Sequence, residues 1–173
     1  MENDFFAFLN TLEGISFRKP TEEEMSKLRT ISSTKLPDMF MEVYSNAMPA
    51  DEVEFCDFVF YGIDRIIAEN TDYIPGANIA PYGFFTFAST LDGDGICMDL
   101  NDSQFPVYQC SHSLLSNENK ISYYKKKIIT LEFNYENIIK FSPKLADGFS
   151  DFISKLIDDE VDTYSVIDII KTL

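Results

Sequence analysis

Residues 81–112, PYGFFTFASTLDGDGICMDLNDSQFPVYQCSH, carry the clearest structural signal in the chain. Phe84, Phe85, Phe87, Ile96, Met98, Leu100, Val107 and Tyr108 fall in short apolar runs. Asp-Gly-Asp-Gly and an Asn-Asp-Ser cluster interrupt them. Aromatic and β-branched runs bounded by Gly, Asp and Asn predict strands joined by tight turns. Asp92-Gly93-Asp94-Gly95 offers two glycines for the positive φ that hairpin turns require. The reading is two antiparallel strands near 83–89 and 95–100, with a third at about 106–110.

Working outward, Thr21 with Glu24 three residues on is a capping box, and the acids in that first turn suit the helix dipole. Met25, Leu28 and Ile31 follow at helical spacing. Leu36-Pro37-Asp38 opens a second helix with Phe40, Val43 and Tyr44 on its apolar face. Asp4–Glu13 reads as a short helix ahead of these. Glu54–Tyr61 and Ile63–Glu69 read as two strands around Gly62, and 70–81 as a loop. Ser113–Lys120 reads as a loose polar segment, and Lys125-Lys126-Lys127 as a solvated basic run. Ile128–Phe133 reads as a strand, while Asn137–Phe141 fits strand or helix. Ser142-Pro143 reads as the start of a helix reaching Ile157, which Gly148 weakens by about 1 kcal/mol. A last amphipathic helix is expected over Val161–Leu173.

These motifs together carry a family resemblance. The strand, Gly-Asp-Gly turn, run ending in Asp99-Leu100, Pro106-Val107-Tyr108 and His112 resemble the SUKH superfamily, which includes the yeast cell-wall-assembly regulator and bacterial immunity proteins. Thr21–Phe40, TEEEMSKLRTISSTKLPDMF, and Leu145–Leu156, LADGFSDFISKL, resemble that family's opening helices and closing helix. The likeness spans roughly residues 20–157. The chain departs in having Asn46-Ala47 where the family often has Asn-Gly, and in a longer segment after His112. The expected fold is α+β and a single domain, with N-terminal helices packed on a bent antiparallel sheet and C-terminal helices completing the core.

Composition sets the outer limits. The chain has 173 residues, 45% of them hydrophobic, with sixteen Phe and nine Tyr, which is globular. No apolar run reaches membrane-spanning length, and the acidic start lacks a signal peptide's basic lead, so a cytoplasmic protein is expected. The net charge is −15, and it is unevenly placed. Residues 1–35 and 120–173 each sum to −1. Residues 36–119 hold fourteen acids and one base, Arg65. Such a surface keeps copies apart in solution and equally suits a basic partner. It argues against nucleic-acid binding, which draws on Lys and Arg at phosphates.

No catalytic signature stands out. Cys56, Cys97 and Cys110 sit in apolar strand patterns and read as reduced, buried thiols. Zinc on Cys97, Cys110 and His112 lacks a C-x-x-C pair and a fourth ligand. Calcium on Asp92, Asp94 and Asp99 lacks the EF-hand spacing and its distal Glu. Cys110 and His112, two apart, are the one pair with nucleophile–base chemistry. No metal and no cofactor are expected.

The resemblance implies a non-enzymatic binding protein. Its bacterial members are immunity proteins that neutralise a cognate toxin, often a nuclease, and a nuclease must be basic where it holds phosphate. The expected partner is a basic protein, a toxin domain, with neither nucleic acid nor membrane involved. Candidate contacts are the sheet-half acids Asp57, Asp64, Asp92, Asp94 and Asp99, taken as exposed, with Tyr82, Tyr108 and His112 as rim or anchor groups. The alternatives are a regulatory scaffold like the yeast relative and an unrecognised hydrolase.

Overall fold

The Asp92-Gly93-Asp94-Gly95 turn forms as the sequence predicts. In a computed structural model, which describes residues 15–32, 35–116, 120–122 and 130–171, it joins β5 (Phe84–Thr90) to β6 (Gly95–Asp99). Gly93 alone takes positive φ, at 87°, and Thr90 N–H donates to the Asp94 carbonyl at 2.8 Å. Gly95 instead lies within the strand, where an added Cβ would come 3.3 Å from Cys97 Sγ. The third predicted strand is β7 (Val107–Cys110).

The strands β3 (Val53–Phe55), β4 (Phe58–Phe60) and β10 (Lys144–Ala146) complete a six-stranded antiparallel sheet in the order β10-β7-β6-β5-β4-β3. Two short pairs lie outside it. β1 (Phe17–Arg18) pairs with β2 (Met48–Pro49), and β8 (Lys120–Ser122) with β9 (Thr130–Glu132). The fold is α+β.

The sheet is buried on both faces, which explains why its central runs are apolar rather than cleanly alternating. On one face Phe85, Phe87, Ala88, Ile96, Met98 and Val107 meet helices α1 (Glu22–Thr30), α2 (Asp38–Asn46), α3 (Ile63–Thr71) and α7 (Phe149–Ile157). On the other, Phe84, Cys97 and Cys110 meet the short helices α4 (Gly76–Ile79), α5 (His112–Leu115), α6 (Tyr135–Lys140) and α8 (Val166–Lys171). A bulge between Thr86 and Ala88 lets the adjacent Phe87 and Ala88 join the same apolar cluster. Phe40 is the hub of that cluster. Its ring lies 5.5 Å from Phe85, 5.9 Å from Phe87 and 5.2 Å from Phe149, each edge-on.

Several local expectations are corrected. Ile63–Glu69 is not a strand. It begins helix α3, with Gly62 as its N-cap, and Ile63 and Ile66 are its buried face. Glu54–Tyr61 is not one strand but the β3–β4 hairpin, turned at Cys56 with φ 53°. The 70–81 loop contains α4 and a 3₁₀ turn at Ala80–Tyr82. The closing helix starts at Phe149, not Ser142, because Leu145 and Ala146 lie on β10 against β7. Gly148 is therefore an N-cap that costs the helix nothing. An added Cβ there would meet the Gln104 carbonyl at 2.8 Å. Asn137–Phe141 resolves as helix, capped by Asn134. Ser113–Leu115 is helical, not loose. The helix expected over Asp4–Glu13 and the Lys125–Lys127 run lie outside the described residues.

The capping box is present in both directions, with Thr21 N–H donating to Glu24 at 2.6 Å and Glu24 N–H to Thr21 Oγ1 at 3.2 Å. Arg18 adds a bidentate ion pair on the same carboxylate. The Arg18 and Thr21 hydrogen bonds hold the Glu24 carboxyl down at about 2. A depressed carboxylate contributes stability above its unfolded value and loses it as pH falls through its folded value. The Glu24→Gln variant should therefore lose stability less steeply than the parent between about pH 4.5 and about 2, measured as urea midpoint against pH. Phe40→Ala should cost about 3–5 kcal/mol in urea unfolding, since it empties the hub of the larger core.

Candidate partner-binding face

Seven of the eight candidate residues divide between the two ends of the central strands, roughly 20 Å apart at the rise of an extended chain. At the end where β5 starts and β6 finishes lie Tyr82, Asp99 and Tyr108. None of them is a free contact. Asp99 is buried at 1% exposure, not exposed as expected. Its carboxylate accepts from Tyr135 Oη at 2.6 Å and from the Asn101 N–H at 2.9 Å. Tyr108 is half-buried, its ring edge-on to Phe84. Tyr82 is half-buried against Phe133, and its carbonyl accepts from Asn101 Nδ2 at 2.8 Å.

At the other end lie Asp57, Asp92, Asp94 and His112, while Asp64, at the start of α3, lines a separate hollow with Arg18 and Pro49. Asp57 and Asp92 are exposed on two adjacent hairpin turns, joined where Leu91 N–H donates to the Asp57 carbonyl at 3.1 Å. Asp64 and His112 are also exposed. Asp94 is buried, a second correction. It accepts from Gln109 Nε2 and from His112 N–H, each at 2.8 Å. Burial raises its carboxyl above the usual range despite those two bonds.

The amide that Asp94 holds has its own task. Gln109 Nε2 donates to the Tyr164 carbonyl at 2.7 Å, and Tyr164 N–H donates to Gln109 Oε1 at 2.8 Å. The side chain thus pairs with a backbone residue as a strand would, and it fixes the approach to α8. Asp94 is a positioning group for the C-terminal segment rather than a surface charge.

What sequence reading missed is the cleft beside these turns, a space of about 470 Å³. Tyr61, Arg65, Glu69, Tyr73, Ile74, Leu91 and His112 line it, with Glu52 at its margin. Arg65 bridges the cleft wall. Its Nη2 lies 2.7 Å from Glu69 Oε1, and its guanidinium sits 4.6 Å from the centre of the Tyr73 ring and 5.3 Å from that of Tyr61. Burial raises the Glu69 carboxyl, and the Arg65 charge opposes that rise. Tyr61, Arg65, Glu69 and Tyr73 are four residues apart. Reading 63–71 as helix brings Arg65 and Glu69 within about 6 Å, where a strand would set them about 13 Å apart.

Chemically, the cleft holds two carboxylates, Glu69 and Glu52, and the sole histidine, but both carboxylates are paired with Arg65. Cys110 is fully buried while His112 is exposed, so the pair does not share an accessible site. Among the described residues no group of three His, Cys, Asp or Glu side chains is placed to hold a metal ion. Among them, too, no helix is long and apolar enough to cross a membrane.

Gln109→Ala should free the C-terminal segment while leaving the sheet closed. Hydrogen exchange by mass spectrometry should show faster exchange over 160–171 and unchanged protection across β5 and β6.

No curated protein and no solved structure matches the chain at a significant level. A family model described as SMI1 / KNR4 family (SUKH-1) matches residues 19–155, from just before the capping box to the last turn of α7. That match spans well over half of the chain, and with it the chain is shown to belong to the SMI1 / KNR4 (SUKH-1) family.

Proposed function

We propose that this chain is a non-enzymatic immunity protein that binds and neutralises a basic bacterial toxin domain. One observation carries the reading beyond family membership. The acids are concentrated on 36–119, where Arg65 is the only base and is itself paired with Glu69. A toxin that acts on nucleic acid must present Lys and Arg to phosphate, and an acidic inhibitor is drawn to that surface before contact. Steering of this kind raises association rates by about 10 to 10³ at low salt. Exposed Asp57, Asp64 and Asp92 are suited to the task, while Asp94 and Asp99 are buried and take no direct part.

A regulatory role like that of the yeast cell-wall-assembly regulator is the second reading, which membership of the family supports as well. The two differ in their partners. An immunity protein holds one basic polypeptide at stoichiometric level, and a regulator holds envelope-synthesis or signalling proteins. Hydrolysis is disfavoured because the Glu69 carboxylate is engaged by Arg65.

The test is capture of partners on the tagged chain from its native lysate, at low and high salt, with identification by mass spectrometry. The expected result is one basic polypeptide whose toxicity on expression is relieved by co-expression of this chain. Reversing Asp57, Asp64 and Asp92 together should slow association and flatten its salt dependence. Affinity that is the same at low and high salt would overturn the steering argument.

A further inference from the structure

We infer that the partner docks on the cleft between α3 and the β5–β6 turn, and that it does so with an apolar side chain flanked by Lys or Arg. The inference rests on the basic-partner reading above and names its surface. Tyr73, Ile74 and Leu91 are 47%, 40% and 55% exposed, and all three line this one cleft. Large apolar side chains gathered around a concavity mark a binding surface more than scattered ones do.

The backbone that carries two of them is held in place. Leu91 N–H bonds the Asp57 carbonyl at 3.1 Å, and Tyr73 N–H bonds the Ala68 carbonyl at 2.9 Å. Arg65 also lies against the Tyr73 ring. The backbone there needs little ordering on binding, which lowers the entropic cost.

The charge around the cleft selects the occupant. Asp92 adjoins Leu91, Asp57 lies beneath it, and Asp72 adjoins Tyr73. All three are exposed, and none makes an ion pair among the described residues. Among the described residues the one Lys or Arg that lines the cleft, Arg65, is shared between Glu69 at 2.7 Å and Glu52 at 3.7 Å. An apolar anchor fills the groove, and cations on either side of it meet the unpaired acids. Nucleic acid and anionic bilayers carry the wrong charge for this rim.

The test uses a random peptide library displayed on phage, selected against the full chain at low salt. Enriched peptides are expected to pair an apolar residue with Lys or Arg. A synthetic copy of one should bind about tenfold or more weakly to the Leu91→Ser, Asp92→Lys double variant. It should bind with little change to Glu22→Lys on α1, which alters the net charge equally. Both changes fall at exposed positions, and circular dichroism checks that each variant is folded. Basic peptides that ignore the double variant but weaken with Glu22→Lys would overturn the cleft and leave the basic-partner reading standing. Enrichment of acidic or uncharged peptides, or none at all, would overturn both.

Discussion

All seven residues of β5 are buried, and that constraint shapes everything around it. A strand covered on both faces must satisfy its backbone along both edges, since water cannot reach it. β6 serves one edge. On the other, β4 pairs only with Ala88, Ser89 and Thr90. Beyond β4 the chain turns into α3 at Gly62, and the Asn70 side chain takes over. Its Oδ1 accepts from Thr86 N–H at 2.9 Å, and its Nδ2 donates to the Thr86 carbonyl at 2.7 Å. One amide thereby ends the sheet's hydrogen-bond demand and clamps α3 against it. The helix orientation follows, and with it the stripe of Tyr61, Arg65 and Glu69 along the cleft.

The parts legible in the sequence were those set by local chemistry. The capping box, the Leu36-Pro37 helix start and the central hairpin depend on neighbours within a few residues, and they formed where expected. The misread parts depend on distant partners. Ile63, Ile66 and Ile67 fit either period over so short a run, and burial of Ile63 and Ile66 in the larger core goes with helix. Leu145 reads as the first apolar position of a helix until β7 is known to lie beside it. Asp94 and Asp99 looked like surface acids because nothing local reveals Gln109 or Tyr135, which bury them. The cleft was hidden for the same reason: the wrong period at 63–69 set Arg65 and Glu69 about 13 Å apart along a strand and left Tyr73 in a loop.

The charge pattern gains meaning from this placement. Of the acids expected to meet a partner, two are spent inside, one anchoring the C-terminal approach and one tying Tyr135 to the loop at Asn101. Those left outside at Asp57 and Asp92 stand on tips of hairpins that the buried sheet holds rigid. The net charge is thus neither spread evenly nor wholly available. It is thinned where the fold consumes it and retained where two turns meet.

The Gln109–Tyr164 pairing bears on where this family's architecture ends. The family match stops at residue 155, yet Ile169 belongs to the second core beside Phe84, Cys97 and Cys110. A fragment cut at the family boundary would keep every strand of the main sheet and lose part of the cover over one face. It would also take from Gln109 both bonds to Tyr164 and leave it the one to Asp94. The matched region and the packed core are therefore not coextensive in this chain: the match ends inside α7, while α8 still closes one face of the sheet.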